Sequence, residues 1–231
     1  MKILIIVPAY NEEASLPGVI RDLREQIPSA DVLVVNDGSR DATVLVARKL
    51  GVMALDLPFN LGIGGAMQTG YLYAERNGYD IAVQFDGDGQ HLASEIQKLL
   101  EPLEANRADL VVGSRFMNIG GYKAPVFRKM GIRIFSLVLS GIMGTTVTDS
   151  TSGFRAVNRR VIEFFAHTYP DDYPEVEALV LLHKMGLRMT EVPAAMQERT
   201  GGRSSITPIR SIYYMTKVLM AIFIDLMKKV R

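Results

Sequence analysis

The sequence predicts an α/β fold: a doubly wound, mostly parallel central sheet with helices on its faces. Three observations predict it. Short apolar runs rich in Val and Ile alternate with stretches of helical period through the first half of the chain. Those runs are near-continuous in their apolarity, as strands buried on both faces are. Polar, glycine-bearing segments follow several of them directly.

KILIIVPA (2–9) and DVLVVND (31–37) read as buried parallel strands. Between them Leu16, Val19, Ile20, Leu23 and Ile27 recur at helical spacing. VMALDL (52–57), DIAVQFD (80–86) and DLVVGS (109–114) supply further strands, with helices near 41–50, 64–77 and 93–105. Strand, helix, strand, repeated this way, implies right-handed crossovers and ligands bound beyond the carboxyl ends of the strands. After residue 115 the pattern loosens. DSTSGFR (149–155), a helical stretch near 158–166, YPEVEALVLLHKMG (173–186), a strand-like RMTEVP (188–193) and ERTGGRSS (198–205) follow in order. No internal repeat or low-complexity tract interrupts the chain. The expected organisation is one domain over 1–206, with halves of about 1–114 and 115–206, and a C-terminal amphipathic helix over 207–231.

Composition narrows the function classes. A chain of 231 residues with 48% hydrophobic and 22% charged residues is globular and long enough for a sizeable core. The net charge of +1 argues against a nucleic-acid binder. Absence of cysteine excludes disulfides and thiolate metal sites and fits a reducing compartment. The opening MKILIIVPAYNEE turns polar too soon for a signal peptide and reads as a first strand. In the C-terminal helix the longest uncharged apolar run is Val218 to Ile224. A bilayer span needs ~20 residues. Lys228, Lys229 and Arg231 close the helix with positive charge. Such a helix suits a membrane surface or a small membrane-protein partner. The alternative is packing on its own domain or on a second copy of the chain, a homo-oligomer.

The strand ends carry the chemistry. The first run ends in PAYNEE, the second in NDGSRD and the fourth in DGDGQH, each with an acid just past the strand. Turn and capping chemistry accounts for any one of them; three together point to a common rim. Asp86 and Asp88 repel each other and lose solvation in an enclosed site. In an extended strand they would stand too far apart to grip one ion, and Gly87 and Gly89 let the chain bend there. With Gln90 they form an all-oxygen donor set for Mg2+ or Mn2+, the remaining positions going to water and substrate phosphates. His91 reads as a helix-start residue and is not counted as a ligand.

VPAYNEE, VVNDGSRD, NLGIGGAMQTG, FDGDGQ, VGSRF and DSTSGFR, in this order, resemble the family 2 glycosyltransferases of GT-A fold. GSRF and SGFR resemble, within that family, the polyprenyl-phosphate sugar transferases, the dolichol-phosphate mannose synthase group. The resemblance spans about residues 3 to 205. It implies that Pro8, Tyr10, Glu12 and Asp37 hold the nucleotide's base and ribose, and that Asp86, Asp88 and Gln90 hold metal and diphosphate. It also implies that Arg199 grips the donor phosphates and that Glu177 is the family's helical acid. Asn36 stands where the family usually has the first of two acids, and Ser205 where it usually has a lysine.

The resemblance implies a nucleotide diphosphate sugar as donor; a UDP-hexose or UDP-N-acetylhexosamine is expected in preference to GDP-mannose. The acceptor decides what else is needed. A hydroxyl requires a base, for which Glu177 or Asp149 is the candidate. A polyprenyl monophosphate, with a second pKa near ~6, arrives as an anion and requires cations. From Leu110 to Thr148 there is no acid, while Arg115, Lys123, Arg128, Lys129 and Arg133 all fall inside. Arg115 and Arg128 lead as acceptor-phosphate residues, followed by Arg133 and Arg155. IRIFSLVLSGIMG (132–144) either lies against the bilayer beside the isoprenoid tail or forms a core helix. The expectation is an inverting transferase at the cytoplasmic face of a membrane, peripheral, serving cell-envelope glycan synthesis. A transferase acting on a carbohydrate hydroxyl and a catalytically silent docking subunit are the alternatives.

Overall fold

The computed structural model describes residues 1–117, 126–171, 173–197, 217–220 and 222–224, with residues 126–132 in their backbone alone. Among them β1 (Ile3–Ala9), β2 (Asp31–Asn36), β3 (Met53–Asp56), β4 (Ile81–Gln84), β5 (Leu110–Ser114), β6 (Arg155–Asn158) and β7 (Met189–Pro193) form one sheet. The strand order is β3-β2-β1-β4-β6-β5-β7. Every pairing is parallel except those of β6, which runs against both β4 and β5.

The sheet is covered on both faces, which is why β1 and the interior of β2 are apolar throughout. All residues of β1 are buried, Leu4 and Ile6 joining one core layer and Ile5 and Val7 the other. The first layer takes Met67 and Tyr71 of α3 (Gly62–Arg76), Phe135 and Leu139 of α5 (Val126–Met143), Phe165 of α6 (Arg159–His167) and Leu179 of α7 (Pro174–Lys184). The second takes Leu16, Ile20 and Leu23 of α1 (Leu16–Gln26), Ala47 of α2 (Thr43–Lys49), and Ile96 and Leu99 of α4 (Ile96–Glu104). At about 1.5–3 kcal/mol for each fully buried aliphatic side chain, these two layers supply the main favourable term in folding.

Two departures from the sequence expectation matter for the site. β4 stops at Gln84 rather than 86, so Asp86 and Asp88 stand in a loop beyond the strand and not within it. The strand RAVN (β6) was not anticipated. Because it runs backwards, its start lies at the rim where the parallel strands end, with Arg155 in register with Gln84. That reversal brings DSTSG alongside FDGDGQ.

The apolar segment of α5 packs inward through Phe135 and Leu139 while Leu137 is 75% exposed. Residues 217–220 and 222–224 are helical, and Val218 and Ile222 are buried in the first core layer. The described part of the C-terminal helix therefore packs on its own domain and turns Met220, Phe223 and Ile224 outward. Among the described residues, no helix is long and apolar enough to cross a membrane.

Candidate active site

Since β1, β2 and β4 are parallel and near neighbours, their carboxyl ends meet on one rim. The loop Phe85–His91 forms its centre. Gly89 takes φ +77°, a conformation that favours glycine, while Gly87 has ordinary negative φ and sits against the Pro8 carbonyl. The Asp88 carboxylate accepts the Gln90 backbone N–H at 3.0 Å, closing a tight Asx turn. Asp86 has a side chain about one-third exposed, 35%. Gln84 Nε2 stands 3.5 Å from its Oδ1. The Gln90 carbonyl accepts the Gln197 N–H at 2.9 Å, two positions before Arg199 in the chain. Arg199 itself lies outside the described residues.

The loop fits a hard divalent cation by the chemistry of its donors, which are carboxylate and amide oxygens. Gly153 keeps space beside it: a Cβ there would come 3.2 Å from Asp86 Oδ2 and 2.9 Å from Gln84 Nε2. Gly153→Ala is accordingly expected to lower transferase activity about tenfold or more by displacing Asp86, with the melting temperature little changed. Steady-state kinetics beside thermal denaturation checks this; unchanged kcat would remove Gly153 from the site.

Of the residues expected to hold the nucleotide, Pro8 lies buried in β1, Tyr10 is 43% exposed at the rim, and Glu12 accepts the Ser15 hydroxyl at 2.7 Å. Asp37 is 4% exposed, and its two carboxylate oxygens accept the Leu61 and Gly62 N–H groups at 2.6 and 3.0 Å. It thus caps the N-terminus of α3, where a carboxylate also meets the positive end of the helix dipole. Asn36 donates to Asp56 at 2.7 Å from beneath the rim.

The expected acceptor residues differ in their surroundings. Arg115 makes a bidentate pair with Asp149, Nε to Oδ2 at 2.6 Å and Nη2 to Oδ1 at 2.7 Å, with side chains 9% and 0% exposed. Asp149 is therefore committed to a guanidinium rather than placed as a base. Its own N–H donates to Glu191 Oε1 at 3.0 Å, and Thr148 binds the other oxygen of Glu191, fastening the 148–152 loop to β7. Arg133 is exposed on α5. Arg128 belongs to the same helix, and its side chain lies outside the described residues. Arg155 is 2% exposed, donating through Nε to the Ser152 carbonyl at 2.7 Å and through Nη2 to the Glu175 carbonyl at 2.6 Å. Glu177 is half-buried on α7.

Two buried titratable groups at the rim were not read as such from the sequence, which leaves Glu175 unmentioned and takes His91 as a helix-start residue. Burial pushes the Glu175 carboxyl above its ordinary range, against the pull of Arg155 and with added repulsion from Asp86. His91 is 6% exposed and is pushed down to about 4, chiefly by burial, with Asp88 opposing and Arg115 reinforcing. Arg115, Asp88 and Asp86 are thus felt together at one rim. No periodicity marks either residue; only the sheet order places them.

Comparison with known proteins gives the family. The model of "Glycosyl transferase family 2" matches residues 4–165. An undecaprenyl-phosphate mannosyltransferase of Micrococcus luteus is 35% identical over 90% of this chain and 88% of its own. A UDP-N-acetylglucosamine–dolichyl-phosphate N-acetylglucosaminyltransferase of Methanococcus voltae is 33% identical over 83% and 84%, respectively. A polyprenol monophosphomannose synthase of Mycolicibacterium smegmatis is 30% identical over 88% and 80%. Glucosyl-3-phosphoglycerate synthase of Mycobacterium tuberculosis, solved with Mn2+ and UDP, shares the fold with a TM-score of 0.75 at 20% identity, covering 97% of this chain and 79% of that one. With the family model matching more than half of its length and relatives at 30–35% identity spanning most of it, this chain belongs to glycosyl transferase family 2.

Proposed function

We propose that the chain is an inverting, divalent-metal-dependent transferase that moves a sugar from a nucleotide diphosphate to a polyprenyl monophosphate. The donor is a UDP-hexose or UDP-N-acetylhexosamine. One observation carries the reading: relatives that differ in sugar, mannose in one and N-acetylglucosamine in another, share a lipid monophosphate in their names. The acceptor, not the sugar, is what unites them.

Asp86, Asp88 and Gln90 hold Mg2+ or Mn2+, which supplies positive charge against the departing diphosphate. Tyr10, with Pro8, Glu12 and Asp37, forms the nucleotide edge, and Arg199 adds its guanidinium to the donor phosphates. The acceptor phosphate, already anionic at neutral pH, needs no base. Arg115, Arg128 and Arg133 hold it, with Arg155 adding charge from below. Attack from the face opposite the leaving group inverts the anomeric centre. Asp149, buried against Arg115, is out of reach as a base for the rival hydroxyl acceptor. The exposed Met220, Phe223 and Ile224, with Leu137 on α5, supply apolar contact for a peripheral position on the cytoplasmic face of the membrane.

The test incubates the protein with UDP-glucose, UDP-N-acetylglucosamine or GDP-mannose, Mg2+ or Mn2+, and liposomes containing polyprenyl phosphate. An acid-labile lipid-linked sugar from a UDP donor is the expected product. The same lipid made only from GDP-mannose corrects the donor; transfer only to a carbohydrate hydroxyl overturns the acceptor.

A further inference from the structure

We propose that His91 is the positioning residue for the Asp86 carboxylate, directing its Nε2–H toward it in a tautomer that the Asp86 backbone N–H fixes by donating to Nδ1. The inference rests on the reading of Asp86 as a metal-site carboxylate.

The ring is locked before it does anything. It is 6% exposed and packs edge-on to Phe85, centroids 5.4 Å apart at 83°, and against Phe154 at 4.8 Å and 37°. The Asp86 backbone N–H points at Nδ1 from 3.1 Å. A backbone amide only donates, so Nδ1 is the acceptor and the neutral ring carries its proton on Nε2. Nε2 stands 3.6 Å from Asp86 Oδ2. That is beyond a hydrogen bond, but a few tenths of an ångström of side-chain movement closes it. Gln84 Nε2 stands 3.5 Å from the other oxygen, Oδ1. Each oxygen of the carboxylate therefore has an N–H donor close by, the imidazole at 3.6 Å from Oδ2 and the Gln84 amide at 3.5 Å from Oδ1. This is how metal-site carboxylates are oriented by the groups behind them.

His91 also ties this loop to the next one. It forms an antiparallel bridge with Met196, and the neighbouring Gln90 carbonyl accepts the Gln197 N–H at 2.9 Å. A single side chain thus fixes residue 86 while its backbone joins the segment leading to Arg199.

Two substitutions separate the two nitrogens. In His91→Asn the amide oxygen stands near the Nδ1 position, so the Asp86 N–H keeps its acceptor and only the Nε2 donor is lost. In His91→Gln the amide nitrogen reaches the Nε2 position and the Nδ1 acceptor is lost. Mn2+ binding is titrated by electron paramagnetic resonance in the presence of UDP or GDP, alongside thermal denaturation. His91→Asn is expected to weaken Mn2+ binding about 10- to 100-fold. His91→Gln is expected to bind within about threefold of the wild type, whatever its melting temperature. Wild-type affinity in His91→Asn overturns the proposal, as does equal weakening in both variants that tracks their loss of stability. Should either variant fail to fold, nitrogen NMR of the wild-type ring decides: the Nε2–H tautomer supports the assignment and Nδ1–H overturns it. Wild-type protein that takes up no Mn2+ overturns the metal site itself, a result distinct from a site indifferent to His91.

Discussion

Asp88→Asn is expected to lower the rate of sugar transfer on the order of a thousandfold while leaving the fold intact. The reason lies in what asparagine keeps. Asp88 Oδ1 accepts the Gln90 N–H at 3.0 Å, and an amide oxygen in the same place accepts it equally well. The Asx turn survives, and only the negative charge is gone. In transfer from a nucleotide diphosphate sugar, the largest change in charge is on the departing phosphates, so the step is sensitive to whatever neutralises them. Asp86→Asn is expected to act in the same direction, since the space beside its carboxylate is held open by Gly153. Transfer rates measured against Mn2+ concentration check both. A variant that retains wild-type kcat with unchanged metal dependence would remove these carboxylates from the metal site.

How much of this was legible beforehand differs by element. The rim was legible, because PAYNEE, NDGSRD and FDGDGQ each follow an apolar run and parallel neighbours necessarily end on one side. The end of the fourth strand was misplaced by two residues: the expected strand ran to 86, and the ladder stops at Gln84, so the acid pair stands in the loop beyond it. β6 was not legible. Four residues cannot display a period, and its first member is an arginine, a residue seldom buried. Arg155 was expected among the acceptor-phosphate cations, whereas its Nε and Nη2 lie on the backbone carbonyls of Ser152 and Glu175. The partners of Arg115 were hidden for a related reason. Asp149 is 34 residues away in the chain, beyond any helical or strand spacing, and only the reversal of β6 returns the loop before it to the end of β5. His91 shows the same limit at short range. Its sequence neighbours suggested a helix start, but the ring turns back to the residue five positions earlier.

Asp149→Ala is expected to destabilise the protein by about 3–5 kcal/mol, because it strips a nearly buried guanidinium of the carboxylate that its Nε and Nη2 both reach. Against a typical total of about 5–15 kcal/mol this is severe. At roughly 2–4 °C per kcal/mol for a chain of this size, the melting temperature falls by about 10 °C. Arg115→Met leaves the opposite charge stranded at a site 0% exposed and is expected to cost a similar amount. The double variant removes both charges, so its loss should be well below the sum of the two single losses, a coupling that differential scanning calorimetry reads directly. The pair also decides what Arg115 does beyond holding the loop. If it grips the acceptor phosphate, the double variant regains its stability but not its turnover with polyprenyl phosphate, and the KM for the lipid rises more than the KM for the donor. If stability and turnover return together, Arg115 serves only to fasten the 148–152 loop, and the acceptor phosphate must be held by the cations of α5.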